Sequence, residues 1–218
     1  MDAVDADRVR AVKVLVACEY SGVVRDAFTA LGHQAMSCDL VPSERPGAHY
    51  QGDARDVLND GWDLMIGHPP CTHLAVSGAA WFSRKRDVQR EALDFVRLLM
   101  NAPIERIAIE NPVSIISTHI RPPTQVIQPY QFGHMEQKST CLWLKNLPKL
   151  TPTNDVYAEM MLLPRNVRER LHYLPPSPTR AQERSRTYDG IAQAMAQQWG
   201  TPEALMSDMP LFSREVQP

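Results

Sequence analysis

The stretch VKVLVACEYSGVVRDAFTALGHQAMSCD, residues 12–39, decides the fold. Residues 12–17 (VKVLVA) form a short apolar run rich in β-branched side chains, which predicts a strand buried on both faces. Cys18 to Gly22 reads as a loop. Residues 23–31 predict a helix with Val24, Ala27 and Phe28 on one face and Gly32 as its stop. Residues 34–38 predict a second strand, closed by Asp39. Strand, loop, helix and strand together make a βαβ unit.

The alternation continues outward. Residues 62–66 predict a strand after the polar Gly52-Asp53-Ala54-Arg55-Asp56, and Gly67-His68-Pro69-Pro70-Cys71 reads as a rigid turn. Residues 87–100 predict an amphipathic helix lined by Val88, Ala92, Phe95, Val96 and Leu99. Residues 106–109 predict a strand ended by Glu110-Asn111-Pro112, with further strands at 124–127 and 140–144. Repeated β-then-α order predicts an α/β fold with a mainly parallel sheet and helices on both faces. Beyond Pro148 the chain is Pro-rich without a clean period, and six arginines (165, 168, 170, 180, 184 and 186) stand against Glu169 and Glu183. Residues 189–199 return to helix, with Ile191, Ala194, Met195 and Trp199 on one stripe, and a loosely ordered tail is expected after Thr201.

Composition narrows the classes. The length of 218 residues suits one α/β domain with a small appendage. A net charge of −2 gives no global electrostatic case for nucleic acid, though it leaves room for a local basic face. No apolar run is long enough to cross a bilayer, and residues 1–12 alternate acids and bases without the apolar core of a signal peptide. The expected location is therefore cytoplasmic, with no membrane partner. Cys18, Cys38, Cys71 and Cys141 form no CxxC pair, which argues against a zinc site and a disulfide framework. Free thiols and no metal are expected.

In open α/β sheets, ligands sit outside the carboxyl ends of the strands. The residues expected there are CEYSG after the first strand, Asp39 after the second, Pro69-Pro70-Cys71 after the third and Glu110-Asn111-Pro112 after the fourth. Asp39 is placed for ribose hydroxyls, and Gly22 for a close backbone approach to a ligand. Cys71, held by two prolines in a polar turn, is the candidate nucleophile. The other three cysteines lie in or beside apolar strands and read as small buried hydrophobes. Glu110 is a carboxyl at a strand end, suited to a ring nitrogen of a base. His68 and His73 flank the Pro-Cys turn and either could help move a proton, although a lone loop histidine is more often incidental.

Taken together and in order, these motifs resemble the C5-cytosine DNA methyltransferase family, most closely its short bacteriophage-type members. CEYSGVVRDAF resembles the first cofactor motif without the usual Phe-x-Gly-x-Gly. GDARDV resembles the adenine-binding acidic motif, GHPPCTHLAVSG the Pro-Cys motif, AIENPVS the Glu-Asn-Val motif, and GIAQAMAQQW the closing helix. The resemblance implies a Rossmann-like class I S-adenosylmethionine-dependent methyltransferase acting in a bacterial host cell. S-Adenosyl-L-methionine would be held by Glu19, Tyr20, Gly22, Asp39, Leu40, Asp53, Ala54 and Pro69. Cys71, Glu110, Asn111 and Lys138 would carry catalysis, and Pro70, His73, Ser77, Gln137, Arg184 and Arg186 would hold the substrate. The family's Gln-x-Arg-x-Arg strand reads Gln137-Lys138-Ser139-Thr140 in this chain, so that Lys138 or an arginine from the later loop would stand in for the missing arginine. The implied organisation is a catalytic and cofactor-binding domain over 1–149, a reduced recognition region over 150–186, and a closing helix and tail over 187–218. The expected partner is double- or single-stranded DNA. A free pyrimidine nucleotide such as dCMP, or a silent methylase fold used for binding, are the alternatives.

Overall fold

The computed structural model describes residues 11–76 and 86–200. Ser77 and the tail beyond Gly200 lie outside the described residues. Seven strands form one sheet in the order β3-β2-β1-β4-β5-β7-β6. They are β1 (Lys13–Ala17), β2 (Gln34–Asp39), β3 (His49–Gln51), β4 (Leu64–Gly67), β5 (Arg106–Pro112), β6 (Gln125–Ile127) and β7 (Thr140–Lys145). Strands β1 to β5 run parallel, while β7 pairs antiparallel with both β5 and β6. This is a Rossmann-like architecture, an open α/β sheet with one reversed strand near its edge.

Period-two alternation splits the core into two layers, because successive strand side chains point to opposite faces. Val14 and Val16 of β1, Leu64 and Ile66 of β4, Ala108 of β5 and Leu142 of β7 meet α1 (Val23–Ala30) and α8 (Asp189–Trp199). Leu15, Met65, Ile107, Ile109 and Trp143 meet α2 (Arg86–Met100) and the start of α3 (Ile116–His119). Helix α8 is locked at its end: the Trp199 indole donates to the Pro148 carbonyl at 2.9 Å, and the buried Arg106 donates to the Trp199 carbonyl at 2.9 Å.

Four local expectations change. Strand β3 was not foreseen, since His49-Tyr50-Gln51 carries no apolar signal and is an edge strand set by pairing with β2. Strand β5 runs on through Pro112, because β7 supplies partners to Glu110, Asn111 and Pro112. Trp62 lies before β4, its indole bonded to the Val57 carbonyl. On α2 the buried line is Leu93, Val96 and Leu99, and Val88 is exposed, so the apolar face is rotated from the expected one. Residues 150–186 form four short helices, α4 (Tyr157–Met161), α5 (Arg165–Arg168), α6 (Arg170–Tyr173) and α7 (Arg180–Ser185). Their buried apolar side chains are Leu150, Met160 and Leu171, too few to give the sequence a clean period.

Candidate active site

The loop after β1 is built around a helix end. Gly22 caps α1 in the left-handed conformation (φ 72°), leaving the first helical amides exposed. Glu19 is buried and turns its carboxylate onto them, accepting from the amides of Val24 at 2.7 Å and Arg25 at 3.3 Å. The Ser21 hydroxyl donates to the same carboxylate at 3.0 Å. Glu19 thus caps α1. Gly22 serves packing: a Cβ there would lie 2.5 Å from the Arg25 guanidinium. That buried guanidinium holds the loop after β2 through the carbonyls of Arg45 and Pro46 and the Ser43 hydroxyl. Tyr20 faces α7, where its hydroxyl donates to the Gln182 carbonyl at 3.3 Å.

A pocket opens beside this loop at the carboxyl ends of β1 and β2. Four expected residues line it: Asp39, Leu40, Asp53 and Ala54. Pro70 lines it in place of Pro69, and Cys18, Cys38, Gly52, Arg55 and Phe95 complete the wall. One Asp39 oxygen, Oδ1, accepts from the Val41 amide at 3.2 Å. Leu40 is 72% exposed and offers a bare apolar surface. Asp53 caps the turn Ala54–Asp56 and pairs with Arg55 at 2.8 Å, and the Arg55 guanidinium lies 5.1 Å from the Phe95 ring centre. Burial and the charge of Asp39 push both neighbouring thiols up, Cys38 to about 11 and Cys18 further. Both stay protonated near neutrality and do not compete as nucleophiles.

The Pro-Cys turn leaves β4 at the next position along the sheet. His68 extends the β1–β4 ladder by one bond, its amide donating to the Ala17 carbonyl at 2.9 Å. Pro69 is buried and its carbonyl accepts from the Asn111 side chain at 2.8 Å, so Asn111 positions the turn. After it, the Cys71 carbonyl accepts from Leu74 and Ala75 and winds the chain back. Cys71 is half-buried. Burial, and then the charge of Glu110, raise its thiol, while Lys138 and Arg184 pull it down; the net shift is upward. Glu110 stands on β5, and its carboxylate bonds His68 Nδ1 at 3.2 Å. Burial would raise this carboxyl, but the His68 hydrogen bond and the Lys138 charge outweigh it and hold it below the usual range. Glu110 is therefore ionised at neutral pH.

Lys138 reaches the same place from the chain entering β7. Its ammonium donates to the Arg184 carbonyl at 2.9 Å and lies 5.7 Å from the Tyr188 ring centre. Gln137 contributes through its backbone, its amide donating to the Arg168 carbonyl at 2.6 Å. His73 is tied by its carbonyl to Gln89, and its buried Nδ1 has no partner among the described residues. Arg186 is committed to Glu44. Arg165 pairs with Glu169, and Arg170 with Glu136 and Glu183. Among the described residues Arg168, Arg180 and Arg184 have no acidic partner. The arginine-rich stretch therefore offers half the free positive charge its composition suggests.

No protein-family model matches the chain, and no curated protein matches it. Among solved structures, one provisionally described as a DNA modification methyltransferase encoded within a prophage of E. coli is similar at 15% identity, with a TM-score of 0.44. The similarity covers 71% of this chain and 56% of that one, so this chain spans little more than half of that protein's length.

Proposed function

We propose that this protein is an S-adenosylmethionine-dependent methyltransferase that modifies carbon 5 of a cytosine in DNA through a covalent Cys71 adduct. The observation that carries the reading is a shared wall: Pro70, directly before Cys71, lines the Asp39 pocket, so nucleophile and pocket are contiguous. The pocket residues fit this cofactor. Asp39 suits ribose hydroxyls, and Leu40, Ala54, Pro70 and Phe95 give an adenine apolar walls. A dinucleotide would set its pyrophosphate on the α1 amides. Glu19 already occupies them with a carboxylate, which repels phosphate and favours a sulfonium cation. Bound there, S-adenosylmethionine supplies an electrophilic methyl group next to the target carbon.

The chain's own residues make that carbon reactive. Carbon 5 of cytosine is a poor nucleophile until a thiolate adds at carbon 6. Cys71 is the thiol held in place, and proton delivery to N3 by Glu110 favours the addition. Asn111 fixes the turn that presents Cys71. Lys138 and Arg184 bring positive charge toward the thiolate. Duplex DNA must extrude its base to reach this half-buried sulfur.

The test is methyl transfer from radiolabelled cofactor to duplex DNA, single-stranded DNA and dCMP in parallel. Label in DNA at cytosine C5 is expected. Label in dCMP alone would move the substrate to the free nucleotide, and no label with cofactor bound would leave a binding fold. Asp39→Ala is expected to weaken cofactor binding about 10- to 100-fold, the loss of a charge-assisted hydrogen bond. Calorimetric titration checks it, and an unchanged Kd would remove the ribose role.

A further inference from the structure

We propose that His68 is the proton store of Glu110, passing a proton through that carboxyl to N3 of the target cytosine as Cys71 adds to carbon 6. The inference rests on the cytosine reading above and adds a residue to it. N3 of neutral cytosine carries a lone pair, and a carboxylate has no proton to give it. Glu110 is held as a carboxylate in the free protein, and a hydrogen-bonded neighbour can supply its proton. His68 Nδ1 is 3.2 Å from Glu110 Oε2, and the two side chains are only 9% and 13% exposed. The other ring nitrogen, Nε2, is buried without a hydrogen-bond partner among the described residues. A buried ring nitrogen without a partner calls for an explanation, and a proton-relay role supplies one. Facing the pair are Lys138 from the chain entering β7, Cys141 from β7 and Cys71 from the turn, with Arg184 beyond the thiol. The Lys138 charge makes protonated Glu110 a stronger acid and drives the proton onward.

The step balances. The Cys71 thiolate, its proton already lost to solvent, forms the Sγ–C6 bond. The C5=C6 pair moves to C4–C5, the C4=N3 pair takes the proton at N3, and Glu110 regains its proton from the His68 imidazolium and hands it on. His68 is left neutral and Glu110 ionised. When the adduct collapses, the C6–Sγ bond breaks and the N3 proton returns by the same path.

The adduct can be observed without cofactor, because its carbon 5 is enamine-like and exchanges hydrogen with solvent. Deuterium uptake at C5 is measured in a cytosine-containing duplex and in dCMP across pH, for the native protein and for His68→Asn. Asparagine keeps an N–H for Glu110 but no movable proton. The same measurement is made on Glu110→Gln and on the double variant, because a histidine that acts only through Glu110 has nothing to add once that carboxyl is gone. In the Glu110→Gln background the change is expected to have no effect, and alone His68→Asn is expected to exchange about 100-fold more slowly than the native protein. Its KM and cofactor affinity should match the native protein, which a merely structural role would not predict. His68→Gln gives the same reading if the asparagine variant does not fold. A native protein that exchanges while His68→Asn matches it within a few-fold, or while His68→Asn slows Glu110→Gln further, overturns this inference alone. A native protein silent in both exchange and methyl transfer overturns the cytosine reading and the His68 role with it.

Discussion

Cys71→Ser is expected to lower methyl transfer by about 10⁴-fold or more, equivalent to roughly 5.5 kcal/mol of transition-state stabilisation. A serine hydroxyl is nearly isosteric with the thiol, yet its conjugate base is not accessible near neutrality, so the Sγ–C6 adduct has no replacement. Cofactor affinity should not change, because the Asp39, Leu40 and Asp53 walls are supplied by other strands. The native rate should rise with pH through the thiol range, since burial and Glu110 hold Cys71 above an ordinary thiol. Steady-state transfer beside isothermal titration of the cofactor checks both halves. Turnover by the serine variant within tenfold of native would remove the covalent mechanism.

Glu110→Gln is expected to act in opposite directions on turnover and on the thiol. The amide can hydrogen-bond N3 but cannot deliver a proton, so transfer should fall by about 10²- to 10⁴-fold. The same change removes the negative charge that raises the Cys71 thiol, so Cys71 should ionise at lower pH and be alkylated faster by iodoacetamide near neutrality. Cys18 and Cys38 are held well above the ordinary thiol range and should contribute little background. The readout is the pH profile of alkylation, with Cys71→Ser as blank. An unchanged alkylation profile would show that the two groups do not sense each other. Near-native turnover would remove Glu110 from the chemistry.

The opposing roles of these two groups explain the layout of the site. Cys71 lies after β4 and Glu110 on β5, neighbouring parallel strands whose carboxyl ends share one edge. That edge was legible from the chain because strand ends are marked locally: a β-branched run stops and a polar or proline-rich turn begins. Asp39, Cys71 and Glu110 were singled out in this way, and Asp53 by its place in the GDARDV motif. The same logic missed the structural roles of Glu19 and Gly22. A residue after a strand reads alike whether or not it caps a helix, and only the fold shows the hydrogen bonds from Val24 and Arg25 to Glu19. It also under-assigned His68, because the group that gives it meaning, Glu110, is 42 residues away. Phe95 was read as core, and it both packs against that core and reaches the pocket wall.

The arginine-rich stretch carries a related lesson. Its composition suggested a free basic surface, but Glu44, Glu136, Glu169 and Glu183 consume three of its six charges. Two of those acids lie outside the stretch. Only folding brings them to it, and local charge counting has no access to partners at that separation.

The sequence by itself determined the α/β class, the parallel character of the sheet and the edge that holds the reactive residues. These follow from periodicity and strand-end chemistry, which act over a few residues at a time. The tertiary structure alone decided the reversed β7, the continuation of β5 through Glu110 and Asn111, the capping of α1 by Glu19 and the pairing of His68 with Glu110. Each depends on which strand lies next to which and on the parity of the register between them. Those are long-range choices, set by burying both faces of one sheet at once, and no local window of the chain contains them.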